Sequence, residues 1–168
     1  MSELTIATPP PLAADDHVRG EGPEAIVYLD LGCPHCAARW PRIASLALHL
    51  CVRHFPVTGK HRRSAVLHAA AEAAAVQREE HFWEMVDAIY RDHSHQDDPH
   101  LWRRAEALGL DLERFERDRR AAEIGARIRR DFESGIRAGV TSTPTAFAGE
   151  RLLSGDGVAD ALATMARD

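Results

Sequence analysis

The chain has 168 residues and a mass of 18.6 kDa, enough for one domain. Apolar residues make up 45% and charged residues 28%, with a formal charge of −5, which excludes general disorder and any broad electrostatic drive toward nucleic acid. No stretch approaches the roughly 18 apolar residues of a membrane helix, and the opening MSELTIATPPPLAADD has neither a basic start nor an apolar run, so a soluble cytoplasmic protein with no membrane partner is expected.

Residues 1–22 are rich in Pro, Ala and Asp, and Pro9-Pro10-Pro11 suits neither a helix interior nor a central strand. They predict a flexible N-terminal arm with a short contact near Val18, ahead of a single domain over 23–168. Residues 25–31, a mostly apolar run between Gly22-Pro23 and Gly32, predict a strand buried on both faces. Cys33-Pro34-His35-Cys36 follows at once. Trp40, Ile43, Ala44 and Ala47 then recur at helical spacing, so a helix begins at the cysteines. Leu48 to Val57 predicts a second strand, with Cys51 inside it and His54 and Phe55 as candidates to line a groove. A block of helices is expected next, over 63–77 and 79–91. A third opens at Asp98 as N-cap with Pro99 at the first helical position, a short one at Asp111, and a last one spans 120–138 up to Gly139. Thr141-Ser142-Thr143-Pro144 is turn chemistry. A strand at 145–148, a turn at Gly149-Glu150 and a return at 151–153 form a hairpin, and Asp156 is expected to cap a final helix. The order is strand–helix–strand, helices, hairpin–helix: an α/β fold.

The chemistry lies in the cysteines. Three are too few to staple a fold of this size. A helix start presents unpaired N–H groups and the positive end of the helix dipole, and both stabilise an anion. Thiolate is the reactive form of cysteine, so Cys33 at such a start is expected to titrate at roughly 4–6. Cys36, one turn on, can attack a mixed disulfide on Cys33. Pro34 suits a first turn, where its missing N–H is not needed, and His35 can add positive charge beside the Cys33 sulfur. The competing readings are an inert pair or a zinc site. Zinc would need Cys51 or His93, His95 and His100 as further ligands, and the spacing of His93 and His95 does not put both on one helical face. No metal or other cofactor is expected. Trp40, Trp83 and Trp102 read as packing, Cys51 as a small buried hydrophobe, and the charges over Arg114–Arg130 as a solvated face.

The strand, Cys33-Pro34-His35-Cys36, the helix after it, the helical block and the late Gly139-Val140-x-x-Thr143-Pro144-Thr145 resemble the DsbA-like branch of the thioredoxin superfamily. Asp16-His17-Val18-Arg19-Gly20 resembles its compact bacterial subgroup of thioredoxin-4 type, so the resemblance spans about 16–168. It implies a thioredoxin-like fold with an inserted helical subdomain at about 62–138. It implies Cys33 as nucleophile, Cys36 as resolver, and Pro144 as a cis-proline facing the dithiol. The Thr143 backbone would pair with an extended substrate. The implied activity is thiol–disulfide exchange with protein or small-molecule partners and an unidentified recycling partner. The pattern departs in three places: Val27 stands where the family often has a buried acid six residues before the nucleophile, with Asp30 the nearest acid; the signal peptide of exporting members is not expected here; and Cys51 lies on the strand after the active-site helix. Two alternatives stay open, a redox-sensing or chaperone-like module and a relative of the glutathione-type isomerases and transferases. The latter usually carry serine in place of the nucleophilic cysteine.

Overall fold

The computed structural model describes residues 5–167, so residues 1–4 of the expected arm and residue 168 lie outside the described residues. In chain order the elements are β1 (Thr5–Ile6), β2 (His17–Arg19), β3 (Glu24–Leu29), α1 (Pro34–Ala44) and β4 (His49–His54). Five helices follow: α2 (Ser64–Gln77), α3 (Glu80–Arg91), α4 (Asp98–Ala107), α5 (Leu112–Asp118) and α6 (Ala122–Arg137). The chain closes with β5 (Thr145–Ala148), β6 (Arg151–Ser154) and α7 (Val158–Met165). The strands make one sheet in the order β1-β6-β5-β3-β4-β2. β3 and β4 are parallel and joined through α1, while the other pairs are antiparallel.

After the exposed Glu24, β3 is apolar and buried from Ala25 to Leu29 because both its faces are covered. Ala25, Val27 and Leu29 join the larger core with Trp40 of α1 and Leu162 of α7. Ile26 and Tyr28 face the other way, into a cluster with Cys51, Phe55 and Phe147. There α6 lies close against the sheet. A side chain at Gly135 would meet the rings of Phe55 at 2.8 Å and Tyr28 at 2.9 Å, so only glycine lets the helix backbone approach this far.

The N-terminal segment is not a loose arm in the described residues. β1 pairs with β6, and β2 pairs with β4. The loop between them is held by charge: the Arg53 guanidinium, 4% exposed, donates to the Asp16 carboxylate at 2.7 and 3.2 Å and to the Pro11 carbonyl at 2.7 Å. Arg19 of β2 lies over the indoles of both Trp40 and Trp83, 5.5 and 4.5 Å from their centroids. Three further expectations are corrected. Asp97, not Asp98, caps α4, accepting from the His100 N–H at 3.1 Å. Asp156 does not cap α7, whose N-cap is Gly157, but pairs with Arg39. Trp102 is 41% exposed, and its indole N–H reaches Glu116 across α4 and α5 instead of entering the core.

Candidate functional site

The strand register fixes where chemistry can occur. Leu29 pairs with His54 of β4, and Tyr28 pairs with Thr145 of β5. The loops 30–33, 55–61 and 141–144 therefore leave the sheet side by side at the carboxyl end of β3, where open α/β sheets place their ligands. They enclose a groove of about 360 Å³ lined by Cys33, Pro34, His35, His61, Thr143 and Pro144 among others. A larger hollow of about 640 Å³ between α2 and α6 has no thiol, histidine or carboxylate in its lining, so it offers no comparable chemistry.

Cys33 is the N-cap of α1, with extended backbone (φ −87°, ψ 122°) and Pro34 in the first turn. No side chain caps this helix, so its first N–H groups face the Cys33 sulfur. The Cys33 thiol is held down to about 5. The Cys36 S–H hydrogen bond contributes most; burial opposes it, and the Cys36 N–H, Thr143 and the His35 N–H add to it. Cys36 is pushed well above an ordinary thiol by burial and by the neighbouring Cys33. Both thiols are free, and so is Cys51, which burial also raises. Across the groove the Thr143–Pro144 peptide bond is cis, and the Thr143 carbonyl lies 3.7 Å from the Cys33 sulfur. The structure thus brings five of the six expected site residues, Cys33, Pro34, His35, Thr143 and Pro144, into the lining of one groove, with Cys36 fully buried one turn of α1 behind Cys33. His35 differs in how it acts: its backbone N–H stabilises the thiolate, while its ring is exposed. His54 and Phe55 do not line the groove. They are 1% and 3% exposed, because the end of β4 is covered by α2 and α6.

Several residues of the site carry no signal in the sequence. Arg39, one turn beyond Cys36, donates to the His35 carbonyl at 3.0 Å and pairs with Asp156, tying α1 to the loop before α7. Tyr90 of α3 donates its hydroxyl to the Asp30 carbonyl at 3.0 Å, directly behind Cys36. The Asp30 carboxylate is fully buried. It accepts from the Gly32 N–H at 2.8 Å, the Val57 N–H at 3.0 Å, the Ser64 hydroxyl at 2.5 Å and His61 Nδ1 at 2.8 Å. Burial opposes its charge, but the surrounding imidazoles and the Ser64 hydroxyl hold it well below the usual carboxylate range. Gly32 permits this clustering: a side chain there would meet Ser64 at 2.4 Å and the His61 Cβ at 2.8 Å.

A family model described as DSBA-like thioredoxin domain matches residues 52–166. The chain belongs to this family. Among solved structures, the DsbA-like chain resembles the thiol-disulfide exchange protein alpha-DsbA2 of Wolbachia pipientis, with a TM-score of 0.80 at 21% identity over 89% of this chain and 84% of that one. It also resembles a thioredoxin-like oxidoreductase of Silicibacter pomeroyi, with a TM-score of 0.77 at 23% identity over 92% and 94%. These identities speak to the fold alone. Among curated proteins it is 39% identical over 148 residues to a Na(+)/H(+) antiporter NhaA 3 of Salinispora tropica and 32% over 166 residues to NhaA of Herminiimonas arsenicoxydans. The match covers 81% and 92% of this chain but 22% and 26% of those proteins, so the DsbA-like chain spans about a quarter of their length.

Behind the groove lies a second polar system, buried except at its outer end, where Glu79 meets solvent. The Leu31 N–H donates to His68 Nε2 at 3.0 Å, and His68 Nδ1 meets His54 Nδ1 at 2.6 Å. Burial pushes His68 down to about 4, so it is neutral with its proton on Nδ1. His54 then accepts on Nδ1 and donates from Nε2 to Glu72 at 2.5 Å. His17 of β2 donates to the same Glu72 oxygen at 2.6 Å and, through Nδ1, to Glu79 at 2.6 Å. Burial opposes the charge on His17, but Glu72 and Glu79 outweigh it and raise its pKa. His17, Glu72 and His54 converge as metal ligands might, yet 2.5–2.6 Å is hydrogen-bond spacing. Two donors about 2.0–2.1 Å from a tetrahedral zinc would stand roughly 3.3 Å apart, and the Arg127 Nε already lies 2.9 Å from the shared oxygen. An exposed group of Asp92, His95 and His100 fits no better. Its two imidazoles stack at 4.3 Å and 16°, and one ion cannot lie in both ring planes.

Proposed function

We propose that the DsbA-like chain is a thiol–disulfide oxidoreductase working through a mixed disulfide on Cys33. One observation carries this: two thiols a helical turn apart are driven in opposite directions, Cys33 down to about 5 and Cys36 well above the ordinary value. At neutral pH Cys33 is a thiolate ready to attack, while Cys36 waits as a thiol that stabilises it. Attack on a substrate disulfide joins Cys33 to one substrate sulfur. Cys36 then attacks the Cys33 sulfur, closes the Cys33–Cys36 bond and releases the substrate. The Thr143 backbone beside Pro144 would hold an extended chain across the groove during both steps. Stabilising the thiolate favours the reduced pair, so the disulfide is expected to be more oxidising than a thioredoxin-type one near −270 mV. Substrates would be protein or small-molecule disulfides and thiols, with a separate recycling partner. Retention of both cysteines weighs against a glutathione-type transferase.

Steady-state disulfide reduction tests the proposal. Wild type is expected to turn over with a dithiol reductant, Cys33→Ser to be inactive, and Cys36→Ser to accumulate a stalled mixed disulfide on Cys33. A single stoichiometric oxidation without turnover would leave the redox-sensing reading instead.

A further inference from the structure

Resting on that proposal, we infer that His61 is the proton donor and acceptor for the substrate sulfur in the exchange, with Asp30 as the residue that positions it. Proton balance demands such a group. A reductive cycle starts from one thiolate and one thiol and ends with two substrate thiols, so one proton must come from elsewhere. In the first step Cys33 bonds to one substrate sulfur and the substrate S–S bond breaks. The other sulfur leaves with the electron pair and takes a proton from the protonated His61 imidazole. In the second step Cys36 bonds to Cys33 and the mixed disulfide breaks, and the departing sulfur takes the proton Cys36 gives up. Two electrons have passed from the dithiol to the substrate, and His61 recovers its proton from water. Oxidation of a substrate dithiol runs the same transfers backwards.

The geometry singles out His61 among the groups around the groove. Its side chain is 22% exposed and lines the same groove as Cys33. Its Nδ1 is fixed to the buried Asp30 carboxylate at 2.8 Å, while Nε2 has no protein partner among the described residues. A carboxylate on one ring nitrogen sets the tautomer and orientation and leaves the other nitrogen to exchange protons. Asp30 cannot do this itself: it is fully buried and takes four hydrogen bonds. Val27, buried on β3, offers no acid from the core side. Lys60 and His35 also line the groove, but neither side chain is anchored by a hydrogen bond among the described residues, and Arg39 is committed to His35 and Asp156. Asp156, also in the lining, is paired with Arg39, and His68 lies 3.6 Å from Asp30 inside the core.

The test compares two disulfides in wild type and His61→Asn. Asparagine keeps a donor for Asp30 and removes Nε2. One substrate is an aliphatic disulfide, whose leaving thiolate needs a proton near pH 7. The other is an activated aromatic disulfide, whose leaving thiolate is stable without one. General acid catalysis predicts that kcat/KM for the aliphatic substrate falls about a hundredfold or more, while the aromatic substrate changes by less than about twofold. The Cys33 titration midpoint should stay near 5. Should His61→Asn not fold, His61→Gln replaces it, and Lys60→Gln serves as the control that preserves the selectivity. Equal loss on both substrates, or loss on neither, overturns the role of His61 and leaves the oxidoreductase intact. A wild type that reduces neither disulfide overturns the oxidoreductase reading itself.

Discussion

Two polar clusters flank the loop that leaves β3, and they are made of similar parts. On one side Cys33, His61 and Asp30 meet at an open groove; on the other His17, Glu72, His54 and His68 are closed in by α2, α3 and the sheet. The groove leaves a valence open, since His61 Nε2 has no partner among the described residues and both it and the Cys33 sulfur line the open groove. In the core cluster each hydrogen bond from Leu31 to His17 fixes the direction of the next, and among the described residues only Glu79, at its outer end, meets solvent. A titratable group does chemistry where its partners are incomplete and water or substrate can enter. Where every partner is present and water is excluded, the same group specifies structure.

The largest expected effect separates the two clusters. His17→Ala removes one partner of the buried Glu72 and the ring stacked on Phe82 at 3.5 Å. Stranding a buried charge costs about 3–5 kcal/mol, nearer 3 here because His54 still binds Glu72. Urea unfolding should show that loss with the Cys33 titration unmoved. A Cys33 midpoint displaced by more than one pH unit would show that the clusters are not independent.

Next is the response of stability to pH. His68 titrates near 4 when folded against 6.5 as a free group, so the folded state favours its neutral form. That contribution is complete above pH 6.5 and lost as pH falls toward 4, on the order of 3 kcal/mol. His17 works the other way. Its raised folded pKa gives a contribution complete below 6.5 and lost as pH rises through the folded value. Stability should therefore peak near neutrality, and His68→Gln should flatten the acid limb. An unchanged acid limb in that variant would mean that other groups set it.

The smallest effect falls on the groove. Cys36→Ala removes the largest cause of the low Cys33 value, so the midpoint near 5 should rise by at least about one pH unit, worth about 1.4 kcal/mol. Thiolate absorbance against pH measures it. No movement would leave the helix start alone as the source of activation.

Local patterns carried the frame. The apolar run at 25–31, the dithiol after it, Pro144 before a hairpin and the helical periods are all short-range signals, and the structure places them at the carboxyl end of β3. What the sequence hides is long-range. β1 and β2 are two and three residues long, too short for any period, and exist because β6 and β4 offer free edges. His54 looked like a groove residue because nothing near it shows that α2 brings His68 and Glu72 over it. His61 meets Asp30 from 31 positions away, and Tyr90 from 60, so neither has a motif. Asp97 and Asp98 are equally good caps on paper, and only the backbone geometry chooses between them.

Residues 11–19 bear on what counts as the minimal folding unit. Pro11 and Asp16 satisfy Arg53, Asp15 meets Arg127 and Arg130, His17 completes Glu72, and Arg19 lies over two tryptophans. An excision that began at β3 would keep the sheet centre, the dithiol and every helix. It would also leave the buried Arg53 without its counter-charge and the buried Glu72 without one of its two imidazoles. The portable module, for fusion or for transplanting the dithiol into another protein, therefore starts upstream of Pro11.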